Sequence, residues 1–241
     1  MPQALRIVAF EEVDSPILEP VTKFGGQPVW LEKPCWPIFL ETGAKVPFFA
    51  QIALEPDLFG DIAAKMAYIF YSDQSEDPTE SFTVLQPGAY GGPFVSESEG
   101  PTLVKVVDSA DPPYWKGAST ECRVTLTPQE DSEYVPFPPF SFESAAEDEE
   151  SGDSSSDDAD GEDFESMGEH VGHKVGGTPN LWEDQFMPEG GMTEWSLLLQ
   201  MESEDETELK PPFCVGYGDG GCGWWFLSKD GLRTMFTSVC H

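Results

Sequence analysis

Few side chains in this sequence stand at spacings that chemistry uses. Residues Gly216-Tyr217-Gly218-Asp219-Gly220-Gly221 match G-x-G-x-x-G in form. A dinucleotide site needs a strand before that motif, a helix after it and an acid about 20 residues further on. Here an aromatic, strand-like run, Trp224-Trp225-Phe226-Leu227, follows, and the residues that remain are too few for a βαβ unit. The stretch reads as a glycine-rich turn. His170 and His173 have the spacing of half a metal site, but Cys214, Cys222, Cys240 and His241 complete no structural zinc pattern with them. The pair reads as part of a solvated loop, and neither metal nor cofactor is expected. Gly-x-Ser-x-Gly, a Walker loop and His-Glu-x-x-His are all missing. Three histidines in the whole chain give a histidine-based triad no support. No residue is assigned as catalytic.

Four aspartates, Asp61, Asp73, Asp219 and Asp230, are set apart because they recur at matching places in an internal repeat. Turn formation is the ordinary role for such residues. A carboxylate pair doing acid/base work is the chemical alternative.

The repeat itself is the clearest signal. Lys23-Phe24-Gly25-Gly26-Gln27-Pro28-Val29-Trp30 returns as Lys174-Val175-Gly176-Gly177-Thr178-Pro179-Asn180-Leu181-Trp182. Each copy leads to an apolar run holding one glutamine, Phe48-Phe49-Ala50-Gln51-Ile52 and Leu197-Leu198-Leu199-Gln200-Met201. Each then reaches a Gly-Asp pair, an aromatic run and an aspartate. A repeat of this size buries too little surface alone, so two copies packed around one core are expected. Gly25, Gly26, Pro28 and Trp30, with Gly176, Gly177, Pro179 and Trp182, are read as the structural motif. Gln51 and Gln200 are polar side chains inside apolar strands. Buried glutamines need hydrogen-bond partners. Each therefore ties its strand to the neighbouring turn, or the pair lines a cleft on the twofold axis and holds a peptide backbone. Trp224, in the second aromatic run, joins Gln51, Gln200 and the four aspartates as a candidate binding residue.

The elements that position these residues read as strands. Residues 4–10, 47–54, 66–71, 102–107 and 121–127 are rich in aromatic and β-favouring types. Residues 57–66 are the best short helix candidate in the first half. The Gly-Gly-x-Pro elements must be turns. Glycine and proline together, 23 and 22 residues, are too many for a helical bundle. The expected fold is mostly β, with an α+β arrangement as the alternative. It is a single pseudo-symmetric domain over 1–241 built from two repeats, with a few short helices. Repeat one covers about 22–73, an inserted segment 74–142, an acidic tract 143–169 and repeat two about 173–231. The tract has no Lys or Arg and almost nothing apolar. Such a segment cannot offset its ordering entropy, so a disordered acidic loop is expected.

Charge bounds the partners. Forty-five Asp and Glu against 12 Lys and Arg give a formal net charge of −33. Phosphates would be repelled, which argues against direct binding to nucleic acid or to an anionic membrane. A basic protein or peptide is the complementary partner. The opening residues carry no apolar stretch of signal-peptide length. The five cysteines, Cys35, Cys122, Cys214, Cys222 and Cys240, are odd in number and irregular in spacing. A cytoplasmic protein with reduced thiols is expected.

The Lys-x-Gly-Gly-x-Pro-x-Trp opening, the Phe-x-Ala-Gln-Ile strand, His-Lys-x-Gly-Gly-x-Pro and the late Gly-Asp-x-Gly-x-Gly element resemble the bacterial YwqG-like family of unknown function. More remotely, Gly-Gly-x-Pro-x-Trp-Leu is similar to programmed cell death protein 2 and its ribosome-assembly relatives. The match covers about 22–73 and 173–231. The first resemblance implies a duplicated β-rich fold without an assigned activity. The second implies a chaperone-like role towards a basic ribosomal protein. The zinc module of some of those relatives has no counterpart, because the cysteine pairs are missing here.

Three functions follow as expectations. The leading one is a non-enzymatic cytoplasmic binding protein for a basic polypeptide. An immunity-type protein that neutralises a toxin is a second. A hydrolase using a carboxylate pair between the repeats is a third.

Overall fold

The computed structural model describes residues 3–39, 43–72, 80–86, 104–107, 120–135, 171–181, 186–203, 209, 211 and 221–239. The acidic tract, Asp73, Asp219 and Trp182 lie outside the described residues.

Twelve strands follow in chain order: β1 (Gln3–Glu12), β2 (Lys23–Phe24), β3 (Trp36–Phe39), β4 (Phe48–Ala53), β5 (Met66–Ser72), β6 (Glu80–Gln86), β7 (Val104–Val107), β8 (Cys122–Glu130), β9 (Lys174–Gly176), β10 (Trp195–Glu202), β11 (Cys222–Ser228) and β12 (Thr234–Val239). Among the described residues there are also two single-turn helices, α1 (Pro56–Phe59) and α2 (Gly191–Glu194). The fold is mostly β. The helix expected over 57–66 is one turn only. Gly60 ends it at φ 74°, and the chain enters β5 at Met66.

Ten strands form one sheet in the order β12-β11-β10-β9-β1-β8-β2-β4-β5-β6, and β3 pairs with β7 beside it. Every pairing is antiparallel. The order is a palindrome about the β1–β8 pair. Short strand β2 matches β9, β4 matches β10, β5 matches β11 and β6 matches β12. The two halves keep the same register, with Gln51 opposite Tyr68 and Gln200 opposite Trp224. Even the irregularities agree, one between Phe48 and Ala50 and one between Leu197 and Leu199.

The centre holds an exchange. Strand β1 precedes repeat one but pairs with β9 of repeat two. Strand β8 precedes repeat two but pairs with β2 of repeat one. Each repeat thus completes its half of the sheet with the leading strand of the other. Residues 74–142 supply β6 and β8 to this sheet.

Both faces of the sheet are covered, which explains strands that are apolar nearly throughout. On β5, Ala67, Ile69 and Tyr71 face the main core while Met66, Tyr68 and Phe70 face a second cluster with Trp36, Val46 and Phe48. On β11, Trp225 and Leu227 enter the main core while Cys222, Trp224 and Phe226 join a third cluster with Leu181, Trp195 and Leu197. The period of two is the pleat of the strand. The edge strands β6 and β12 approach each other, so the sheet curls towards a barrel. Trp225 bridges this gap. Its ring stacks on Phe49 at 5.7 Å between centroids, and its Nε1–H donates to Ser81 Oγ at 2.6 Å.

Candidate functional site

Each Gly-Gly loop is built by the same set of bonds. In repeat one, Gln51 Oε1 accepts from the Val29 N–H at 2.8 Å and Gln51 Nε2 donates to the Val21 carbonyl at 2.8 Å. In repeat two, Gln200 Oε1 accepts from the Asn180 N–H at 2.8 Å and Nε2 donates to the Gly172 carbonyl at 3.0 Å. The offsets from the buried lysine are identical in both copies. Both glutamines are wholly buried, and each closes the base of its own loop. The aromatic opposite each glutamine adds a bond. Tyr68 Oη accepts from the Leu31 N–H and donates to the Val29 carbonyl, while Trp224 Nε1–H donates to Gln200 Oε1 at 3.2 Å.

The lysines that open the motif are equally buried. Lys23 Nζ pairs with Glu121 and also donates to the Gln27 carbonyl at 2.6 Å. Lys174 Nζ donates to Asp131 Oδ2 at 2.8 Å, with both side chains fully enclosed. Burial pulls both ammonium groups below their ordinary range, and the paired carboxylates oppose that pull. Close pairing is what makes such burial tolerable. The second glycine of each motif backs onto the same carboxylate. A Cβ on Gly26 would strike the Glu121 side chain, and one on Gly177 would strike Asp131 Oδ2. Both residues also lie at positive φ, 65° and 80°. Only glycine satisfies both demands.

Repeat two carries polar groups where repeat one is plainer. The residue before each lysine accepts from a β-strand N–H: Thr22 Oγ1 from Ala53 at 3.0 Å, and His173 Nδ1 from Glu202 at 3.2 Å. With Nδ1 accepting, the His173 proton sits on Nε2, which donates to the Leu209 carbonyl at 3.0 Å. His173 is buried, not part of a solvated loop, and desolvation pulls its pKa down to about 4 against the opposing Leu209 bond. Glu202, facing Gln200 Nε2 at 3.4 Å, has its carboxyl pushed up by burial. Threonine, alanine and valine at 22, 53 and 29 thus become histidine, glutamate and asparagine at 173, 202 and 180.

A cleft of about 760 Å³ opens beside this second loop. Gly176, Gly177 and Thr178 line it together with residues of α1 and α2. Asp131 Oδ2 accepts from the Thr178 N–H at 2.9 Å, while Asp131 Oδ1 is buried without a hydrogen-bond partner. The cleft is thus shaped by the same residues that bury Lys174.

Of the aspartates singled out by the repeat, the two described ones, Asp61 and Asp230, are not among the described residues that line it. Asp61 is exposed, 3.8 Å from Lys65 Nζ. Asp230 accepts from the Ser228 hydroxyl and from the Leu232 N–H, and those bonds, the serine's first, hold its carboxyl below the usual range. The two stand on adjoining loops, since a Cβ on Gly231 would lie 2.9 Å from Ile62 Cβ. Trp30 packs at the edge of the second cluster, 4.5 Å from the Tyr68 ring centroid. Pro28 and Pro179 sit in the loops that the glutamines clamp. Among the described residues no group of three or more His, Cys, Asp and Glu is placed to hold a metal ion.

Sequence reading did not single out Glu121, Asp131, His173 or Glu202 as partners. The lysine at one fixed offset before each Gly-Gly pair was the available signal, and it demands a carboxylate without saying where that lies.

Fold and loops together define a duplicated β-sheet protein whose halves exchange their leading strands. The family model described as Domain of unknown function (DUF1963) matches residues 22–240, and the chain belongs to that family. No curated protein matches the chain.

Proposed function

We propose that this chain is a non-enzymatic binding protein that holds a basic polypeptide, in the manner of a chaperone. The distribution of charge carries the reading. The chain has 12 Lys and Arg against 45 Asp and Glu, and two of those cations are locked inside with their own acids. Taking one of each out per pair leaves ten cations against forty-three acids. A surface so one-signed steers cationic partners in and repels phosphate-bearing ones. The remote resemblance to programmed cell death protein 2 and its ribosome-assembly relatives supports the same reading. The reading includes a cytoplasmic location, in which the buried thiols of Cys35, Cys122 and Cys222 would stay reduced. Among the described residues no helix is long and apolar enough to cross a membrane.

Affinity capture from the native cells at low salt, read by mass spectrometry, tests the reading. One basic protein recovered in stoichiometric amount is the expected result. Capture lanes that hold no basic protein would overturn it.

A further inference from the structure

The cleft beside Gly177 and Thr178 has walls that specify a ligand. Its volume, about 760 Å³, falls in the range of sites that enclose small ligands or side chains. Asp57 on α1 and Glu133 just beyond β8 both line it, both are exposed, and neither is in an ion pair among the described residues. Leu58, Met192 and Leu197 give it an apolar lining. Two open carboxylates over an apolar lining complement a long cationic side chain, whose methylene stem wants apolar contact and whose head wants anionic acceptors. Among the described lining residues the one cation is Lys229. Its ammonium repels a positive head, so Asp57 and Glu133 are the charged groups of the lining that attract one.

The wall is also built to keep its shape. Gly177 cannot carry a Cβ without striking Asp131, and Asp131 is held by Lys174 and by the Thr178 N–H. A preformed wall lowers the ordering cost of binding.

We propose that this cleft receives an arginine or lysine side chain from an extended segment of the basic partner. The inference rests on the reading under Proposed function and gives that reading one address on the molecule.

Fluorescence anisotropy with a fluorescein-labelled hexa-arginine peptide at low salt tests it on the full chain. Three variants are compared with the parent: Asp57→Asn with Glu133→Gln, Lys229→Glu, and Glu11→Gln with Glu12→Gln as a charge-matched control. Glu11 and Glu12 lie at the far end of β1 from Gln3, which lines the cleft. All exchanges are at exposed positions, and circular dichroism confirms folding. Losing two charge-assisted contacts weakens binding by about tenfold or more. The control loses two charges of many and changes by less than about threefold. Lys229→Glu tightens binding. Equal weakening by the cleft and control pairs would overturn the cleft and leave the general attraction intact. A parent protein that does not bind the peptide would overturn the cleft and the reading beneath it together.

Discussion

Glu121 and Asp131 stand at the two ends of one strand, β8, and each receives the buried lysine of a different repeat. Glu121 takes Lys23 from repeat one, and Asp131 takes Lys174 from repeat two. β8 therefore does more than complete a sheet. It anchors both Gly-Gly loops, and the loop at its Asp131 end forms the wall of the cleft.

The two ion pairs differ in enclosure, and stability follows. Asp131 has no access to solvent, whereas the Glu121 side chain keeps 12% exposure. Lys174→Met strands a buried carboxylate and is expected to cost about 3–5 kcal/mol. Lys23→Met costs less, because water reaches Glu121. Lys174→Met combined with Asp131→Leu recovers much of the loss. Urea denaturation of the three variants checks the order.

Gly177→Ala meets three penalties, a positive φ, the Asp131 carboxylate and the Ala4 Cβ at 2.7 Å. The expected loss is about 3 kcal/mol. Gly60 has a similar φ of 74° but nothing within 4 Å of an added Cβ. Its ψ of −176° places it in a backbone region that glycine alone enters readily, so Gly60→Ala is expected to cost about 2 kcal/mol from strain alone. Thermal unfolding of the pair separates backbone strain from collision. Equal losses would mean that the carboxylate and Ala4 both give way freely.

His173 makes stability depend on pH. Its folded pKa lies at about 4, below the ordinary 6.5. Between those values the unfolded chain binds the proton more readily, so stability falls as pH falls. Nothing is lost above the unfolded value, and about 2 kcal/mol is lost by pH 5. His173→Gln lowers the starting stability but flattens the slope between pH 7 and pH 5. Denaturant midpoints across that window, parent against variant, give the answer.

The strand exchange predicts what a cut does. Cleavage within residues 143–169 leaves β1 of the first piece paired with β9 of the second, and Asp131 of the first paired with Lys174 of the second, so the two pieces stay together. Gel filtration after limited proteolysis should show one species at the intact size. Separation of the pieces without denaturant would contradict the pairing.

Much of the fold was legible because the repeat is written in local chemistry. Paired glycines before a proline demand a turn, and a glutamine inside an apolar run demands nearby partners. Gln51 and Gln200 find theirs in their own loops, 22 and 20 residues away. The exchange of β1 and β8 was not legible, because no local pattern says which of two similar edges a strand joins. The acids for Lys23 and Lys174 lie 98 and 43 residues distant, among 45 carboxylates that look alike in sequence. The helix over 57–66 failed at Gly60, where a positive φ ends the first turn. His173 read as solvated because it borders the acidic tract, yet it is buried and accepts from the Glu202 N–H of β10.

Salt dependence of the purified complex tests the central claim most directly. The captured basic partner, titrated into the full chain over a series of salt concentrations, yields a plot of log Kd against log salt. An acidic surface that binds through many screened contacts predicts Kd rising steeply and linearly with salt. An affinity indifferent to salt would contradict the account.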